Sequence, residues 1–105
     1  MSLKDVQRDV DEWVKQFKVE YFKPLEIMAA LTEELGELSR EINNRYGPRT
    51  KKSPKDTAEI SDEISDIIFN LACLANSHNI DLDVSWKKKM DKQHGRDKDR
   101  FERKD

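Results

Sequence analysis

Two stretches of this 105-residue chain place apolar residues at alternating steps of three and four. Met28, Leu31, Leu35, Leu38 and Ile42 form the first. Ile60, Ile64, Ile67, Leu71 and Leu74 form the second, with Ile68 and Phe69 widening its face. Steps that average to one helical turn give each stretch a single apolar stripe, so each reads as an amphipathic helix. A helix with one apolar stripe must bury it against another element, and two seams joined by one loop can pack antiparallel. The period-two alternation of a half-buried strand appears nowhere.

The remaining segments fit the same class. Leu3, Val6, Val10, Trp13, Val14 and Phe17 mark a first helix over residues 3–17. Tyr21-Phe22-Lys23 leads into Pro24, whose missing N–H suits the first position of the second helix. Tyr46-Gly47-Pro48 stops that helix. The loop GPRTKKSPKDT, residues 47–57, ends in Asp56 and Thr57, either of which can cap the third helix. SHNIDLD closes the third helix, and Asp81 or Asp83 can cap a fourth near residues 83–93, carrying Val84, Trp86 and Met90. Residues 95–105, GRDKDRFERKD, are almost all charge and are expected to fray or to dock on a neighbour. The expectation is one all-α domain over residues 1–105, an antiparallel bundle of about four helices.

Composition adds a constraint. Charged residues make up 40% and hydrophobic residues 35% of the chain, and mean hydropathy is −0.96. Such a composition leans toward disorder, and only the periodicity argues for a packed fold. A thin core in a short chain suggests that oligomerisation completes the bundle. A net charge of −2 offers no global field for a nucleic-acid polymer or an anionic membrane. The single cysteine, Cys73, excludes an internal disulfide and sits on an apolar face. MSLKDVQRDVDEW has acids where a signal peptide would be apolar, and IIFNLACLA is too short to span a bilayer. A cytoplasmic protein without membrane contact is expected.

The second helix contains LTEELGELSREI, where Glu33, Glu34 and Glu37 crowd around Gly36. Like charges three or four residues apart weaken a helix, and the glycine weakens it further. The third helix echoes the block: Asp62, Glu63, Ser65 and Asp66 stand as Glu33, Glu34, Gly36 and Glu37 do, with Leu35 and Leu38 matched by Ile64 and Ile67. Glu34 and Glu37 lie about 60° apart around the helix, flanking the seam, and Glu63 and Asp66 do the same. Antiparallel packing would bring Glu34, Glu37, Glu63 and Asp66 to one edge of the core. Clustered oxygen ligands with excess negative charge suit a hard divalent cation, and the absence of nearby His or Cys favours Mg²⁺, or Mn²⁺, over zinc. Gly36 and Ser65 would leave room for a phosphate or a facing helix. The plain alternative is a solvated acidic face.

These residues resemble the signature of the MazG-like nucleotide pyrophosphohydrolases, a family of all-α NTP pyrophosphatases. The likeness rests on E-E-x-x-E (Glu33, Glu34, Glu37) followed by E-x-x-D (Glu63, Asp66). YFKPLEIMAALTEELGELSREINNRYG, Lys51-Lys52, LANSHNIDLD and Arg96-Asp97…Arg100 extend it to residues 20–101, in the manner of the small single-domain bacillus proteins. The resemblance implies Mg²⁺-dependent hydrolysis of a nucleoside triphosphate to the monophosphate and pyrophosphate. It implies Glu34, Glu37, Glu63 and Asp66 as metal ligands, with Glu33 as outer partner or water-orienting base. It also implies a homodimer or homotetramer. Some family members carry two such domains, and this chain carries one.

That chemistry needs no nucleophilic side chain, only activated water and positive charge on the leaving pyrophosphate. The basic candidates are Arg49, Lys51, Lys52 and Lys55 in the loop, then Lys89, Lys92, Arg96 and Arg100. Lys92 and Arg96 form the better pair, one turn apart if the last helix continues. Trp13, Phe22, Tyr46 or Trp86 could stack on a base, and Asn70 extends the Glu63–Asp66 stripe by one turn toward substrate. His78 and His94 read as surface residues. The rival reading is a non-catalytic helical module whose seams serve oligomerisation. Nucleic-acid binding through RTKKSPK and WKKKMDK ranks last, because the acidic stripes repel phosphate.

Overall fold

In the computed structural model, which describes residues 1–104, α1 spans Leu3–Val14, α2 Pro24–Tyr46, α3 Ala58–Ser77 and α4 Leu82–His94. No strand occurs among the described residues. Ser2 opens α1 with a reciprocal cap: its hydroxyl accepts from the Asp5 N–H while the Asp5 carboxylate accepts from the Ser2 N–H. Such a cap contributes about 1 kcal/mol. Pro24 begins α2 and Gly47 follows its end, as its sequence signals require.

The expected first helix is too long. It stops at Val14, and Phe17 lies beyond it. The chain turns there so that Tyr21 can fold back: its hydroxyl donates to Asp11 Oδ1 at 2.5 Å and accepts from Asn76 Nδ2 at 3.0 Å. Phe17 still extends the apolar surface, packing edge-on against Trp13 with ring centroids 5.1 Å apart.

α2 and α3 run antiparallel. Arg45 meets Glu59 at the loop end, Glu34 and Glu37 gather with Glu63, and Ile27 and Leu31 pack with Ala72 and Cys73 further along. α1 lays Val10 and Val14 on that last section, which makes the core. Gln7, buried in α1, clasps the α3–α4 corner: it donates to Asn76 Oδ1 and to the Ile80 carbonyl, and its own oxygen accepts from the Leu82 N–H. A buried amide needs such partners to avoid a desolvation penalty. Asp81 caps α4 by accepting from the N–H groups of Asp83 and Val84, whereas Asp83 accepts from the Leu3 N–H and ties α4 to α1.

The seams are only partly covered. Leu31 is buried, but Leu35 is 57% and Leu71 47% exposed, with Ile42 and Ile64 similarly open. α1 crosses the pair at the Ile27–Cys73 end, so among the described residues nothing covers the stripe near the loop. The radius of gyration is 17.2 Å, against about 13 Å for a compact domain of this length. No helix among the described residues is long and apolar enough to cross a membrane.

Candidate active site

The acidic echo resolves into two neighbouring clusters on the α2–α3 interface. In the first, Glu34, Glu37 and Glu63 each offer a carboxylate oxygen within 4.8 Å of the others. All three are half-buried. Glu34 Oε2 and Glu63 Oε2 are shielded from solvent and have no hydrogen-bond partner. The Glu63 carboxyl is pushed up to about 7, first by the Glu34 carboxyl against it, then through burial and the nearby Glu37. Among the described residues no Lys or Arg pairs with these acids.

One turn away stands the opposite arrangement. Glu41 follows Glu37 on α2 and Glu59 precedes Glu63 on α3, and both are bound by Arg45 and Lys52. The Arg45 fork holds the Glu41 carboxyl down at about 2, with Lys52 adding to the effect. Two acids and two cations here balance.

A cavity of about 450 Å³ opens between the α1–α2 connection and α3. Trp13, Phe17, Phe22 and Phe69 line it, with Tyr21 at its wall and Asn70 at its edge. Burial pushes the Tyr21 phenol up to about 12, and donation to Asp11 adds to this. Asn70, which lines the cavity, lies one turn after Asp66 on α3, and its Nδ2 donates to the Asp66 main-chain carbonyl at 3.0 Å.

The domain model for the MazG nucleotide pyrophosphohydrolases matches residues 22–101. The chain belongs to this family. As a MazG protein it is a hydrolase acting on nucleotide phosphoanhydride bonds, and the reading as a purely non-catalytic module falls away. It is 50% identical over 104 residues to YpjD of Bacillus subtilis, covering 99% of this chain and 94% of that protein. The crystal structure of YpjD superposes with a TM-score of 0.80 at 49% identity, over 88% of this chain and 94% of that one. The Bacillus-conserved MazG protein, a nucleotide pyrophosphohydrolase, gives a TM-score of 0.78 at 44% identity, over 94% and 96% of the two chains. Human dCTP pyrophosphatase 1 is 30% identical over 95 residues, 86% of this chain and 55% of that protein.

Within this MazG chain the sequence-derived site residues separate. Glu34, Glu37 and Glu63 converge, but Asp66 is exposed and lies outside their group. Glu33 is exposed on α2 beside Glu34. Lys92 and Arg96 share no helical face, because α4 ends at His94, and Arg96 pairs with Asp97. α4 packs on α1, away from the trio. Lys52, a candidate for phosphate, is engaged by Glu41 and Glu59. Trp13 and Phe22 line the cavity, whereas Tyr46 and Trp86 are exposed elsewhere. The sequence reading overlooked Arg45, Glu41 and Glu59, although Glu41-x-x-x-Arg45 carries the one-turn spacing of a helical ion pair.

Proposed function

We propose that this MazG protein hydrolyses a nucleoside triphosphate, ribo- or deoxyribo-, to the monophosphate and pyrophosphate, using Mg²⁺ with Mn²⁺ as a substitute. The observation that carries the proposal is the uncompensated trio of Glu34, Glu37 and Glu63, with two buried oxygens left without a partner. An all-oxygen donor set with surplus negative charge fits a hard divalent cation. Gathering these acids without a counterion is otherwise only a cost. A cation held there supplies charge that offsets the phosphate oxygens and lowers the barrier to attack by water.

The chain's own groups divide the remaining tasks. Glu34, Glu37 and Glu63 would hold the ion, with Asp66, one turn of α3 onward, as a further ligand. Glu33 accepts a proton from the attacking water or orients it. The aromatic cavity takes the base, with Trp13 and Phe22 as stacking faces and Asn70 between base and acids. Lys92 and Arg96 lie away from the trio within one chain, so their role on the leaving pyrophosphate requires a second copy. The uncovered stripe of Leu35, Ile42 and Ile64 supports a homodimer or homotetramer. The name of the human relative makes dCTP the first nucleotide to try. A cytoplasmic location, with no nucleic-acid polymer or membrane as partner, belongs to the same proposal.

The test is a panel of ribo- and deoxyribonucleoside triphosphates with Mg²⁺, scored for monophosphate and pyrophosphate. At least one nucleotide should be cleaved to this pair. Trp13→Ala should raise its KM about tenfold, since base–aromatic stacking contributes about 1–3 kcal/mol. Release of inorganic phosphate and a diphosphate instead would refute the assigned cleavage point.

A further inference from the structure

We propose that Arg45 is a positioning residue. It fixes the spacing of α2 and α3 one turn from the acidic trio, and so sets the geometry in which Glu34, Glu37 and Glu63 take a divalent cation. The inference rests on the cation site proposed above.

The Arg45 side chain has no exposed surface. Its Nε donates to the Asp56 carbonyl at 2.6 Å, and its Nη1 to the Glu41 carbonyl at 2.8 Å and carboxylate at 2.9 Å. Its Nη2 donates to Glu59 Oε2 at 3.2 Å. These partners lie on three pieces of chain: the last turn-and-a-half of α2, the residue before the α3 cap, and the first turn of α3. A planar guanidinium fixes the angles between its N–H groups, so it holds all three in one arrangement as no flexible ammonium can. Lys52 joins the same two carboxylates from the loop.

The level of this clamp matters. Glu37 and Glu41 are one turn apart on α2, as are Glu63 and Glu59 on α3, a rise of about 6 Å. At the trio's level, like charges push the two helices apart. At the clamp's level, paired charges hold them together. Among the described residues no ion pair opposes the trio's own repulsion, so the ionic restraint one turn away is the Arg45 clamp, with Lys52 beside it.

An ordinary stabilising ion pair makes a different prediction about cation affinity. Taking a positive charge from a position one turn away favours cation binding by Coulomb's law. Losing the clamp disfavours it, so the two effects have opposite signs. The experiment measures Mn²⁺ binding to the nucleotide-free protein, by titration calorimetry and by the electron paramagnetic resonance of free Mn²⁺, well below each variant's melting point. The variants are Arg45→Met, Arg45→Lys and Val10→Ala. Arg45→Lys keeps the charge but cannot span both carboxylates and the carbonyl, and it serves if Arg45→Met does not fold. Val10→Ala loosens the α1–α3 core and controls for lost stability alone. Both Arg45 variants should bind Mn²⁺ about tenfold more weakly, the low end of what removing outer support costs a metal site. Val10→Ala should bind as wild type does. Unchanged or tighter binding in the Arg45 variants would overturn the role, as would equal weakening in Val10→Ala. If wild type itself bound no Mn²⁺, the cation site would fail, and the role of Arg45 with it.

Discussion

Glu37 and Glu41 follow each other by one turn on α2, yet only Glu41 has cationic partners. Arg45 and Lys52 hold Glu41, whereas Glu37 faces Glu34 and Glu63. Charge is balanced at one level of the α2–α3 interface and left in surplus at the next. A helix pair selected for stability alone would have no reason to stop compensating there. Under the function proposed above, the cation would be held at the level where the carboxylates are left in surplus.

Acid and neutral pH should therefore act on the metal-free protein in opposite ways. Glu63 has a folded value of about 7 against an ordinary 4.5. Between those values the folded state keeps a proton that the unfolded state has released, so stability falls as pH rises through that window. Glu41 has a folded value of about 2 against 4.5. Its contribution is complete above about 4.5 and is lost as pH falls through about 2. Urea melts across pH in the presence of chelator should show a stability maximum near the lower edge of the Glu63 window. Saturating Mg²⁺ should remove the decline toward neutral pH and leave the acid limb in place. A decline that persisted under Mg²⁺ would place its cause outside the trio.

Gly36 separates local stability from function. A Cβ built there meets nothing within 4 Å. Gly36→Ala should therefore stabilise α2 by about 1 kcal/mol, which for a domain of this size raises the melting temperature by about 5 °C. If the open space admits substrate phosphates, pyrophosphate release should fall in the same variant. Higher stability with full activity would show that the glycine serves neither substrate nor a facing helix.

The uncovered stripe predicts assembly. Static light scattering at micromolar concentration should give at least twice the 12.4 kDa chain mass. Leu35→Lys with Ile64→Lys should dissociate the assembly while α2 and α3 remain helical by circular dichroism, since both side chains are largely exposed in the single chain. A monomeric wild type would contradict this, and would leave the site to one chain's own residues.

Much of this was legible in the sequence, for identifiable reasons. The two seams, Pro24 and Gly47 placed α2 and α3 closely, because periodicity and helix-end residues act locally. The matched spacing of Glu34, Glu37 and Glu63 beside those seams made their meeting a geometric consequence of antiparallel packing. Asp66 did not join them: its side chain is one methylene shorter than Glu63, and small rotations of a helix decide which of two flanking acids faces inward. Phe17 fell outside α1 because a tertiary contact, Tyr21 with Asp11 and Asn76, turns the chain back. Lys52 read as a free loop cation because its partners, Glu41 and Glu59, come from two different helices. The exposure of Leu35 and Ile64 was likewise invisible to a pattern that marks a stripe without saying what covers it.

The most direct measurement is pyrophosphate release by wild type and Glu63→Gln with Mg²⁺, alongside thermal melts of both without metal. Glu63→Gln removes a charge from the trio at nearly constant volume and replaces a strained acid with an amide. Metal-free Glu63→Gln should melt at or above the wild-type temperature, because the repulsion is relieved. Its activity should fall at least about a hundredfold, since cation charge contributes several kcal/mol to such a reaction. Full activity in a folded Glu63→Gln would contradict the assignment of Glu34, Glu37 and Glu63 as the cation site.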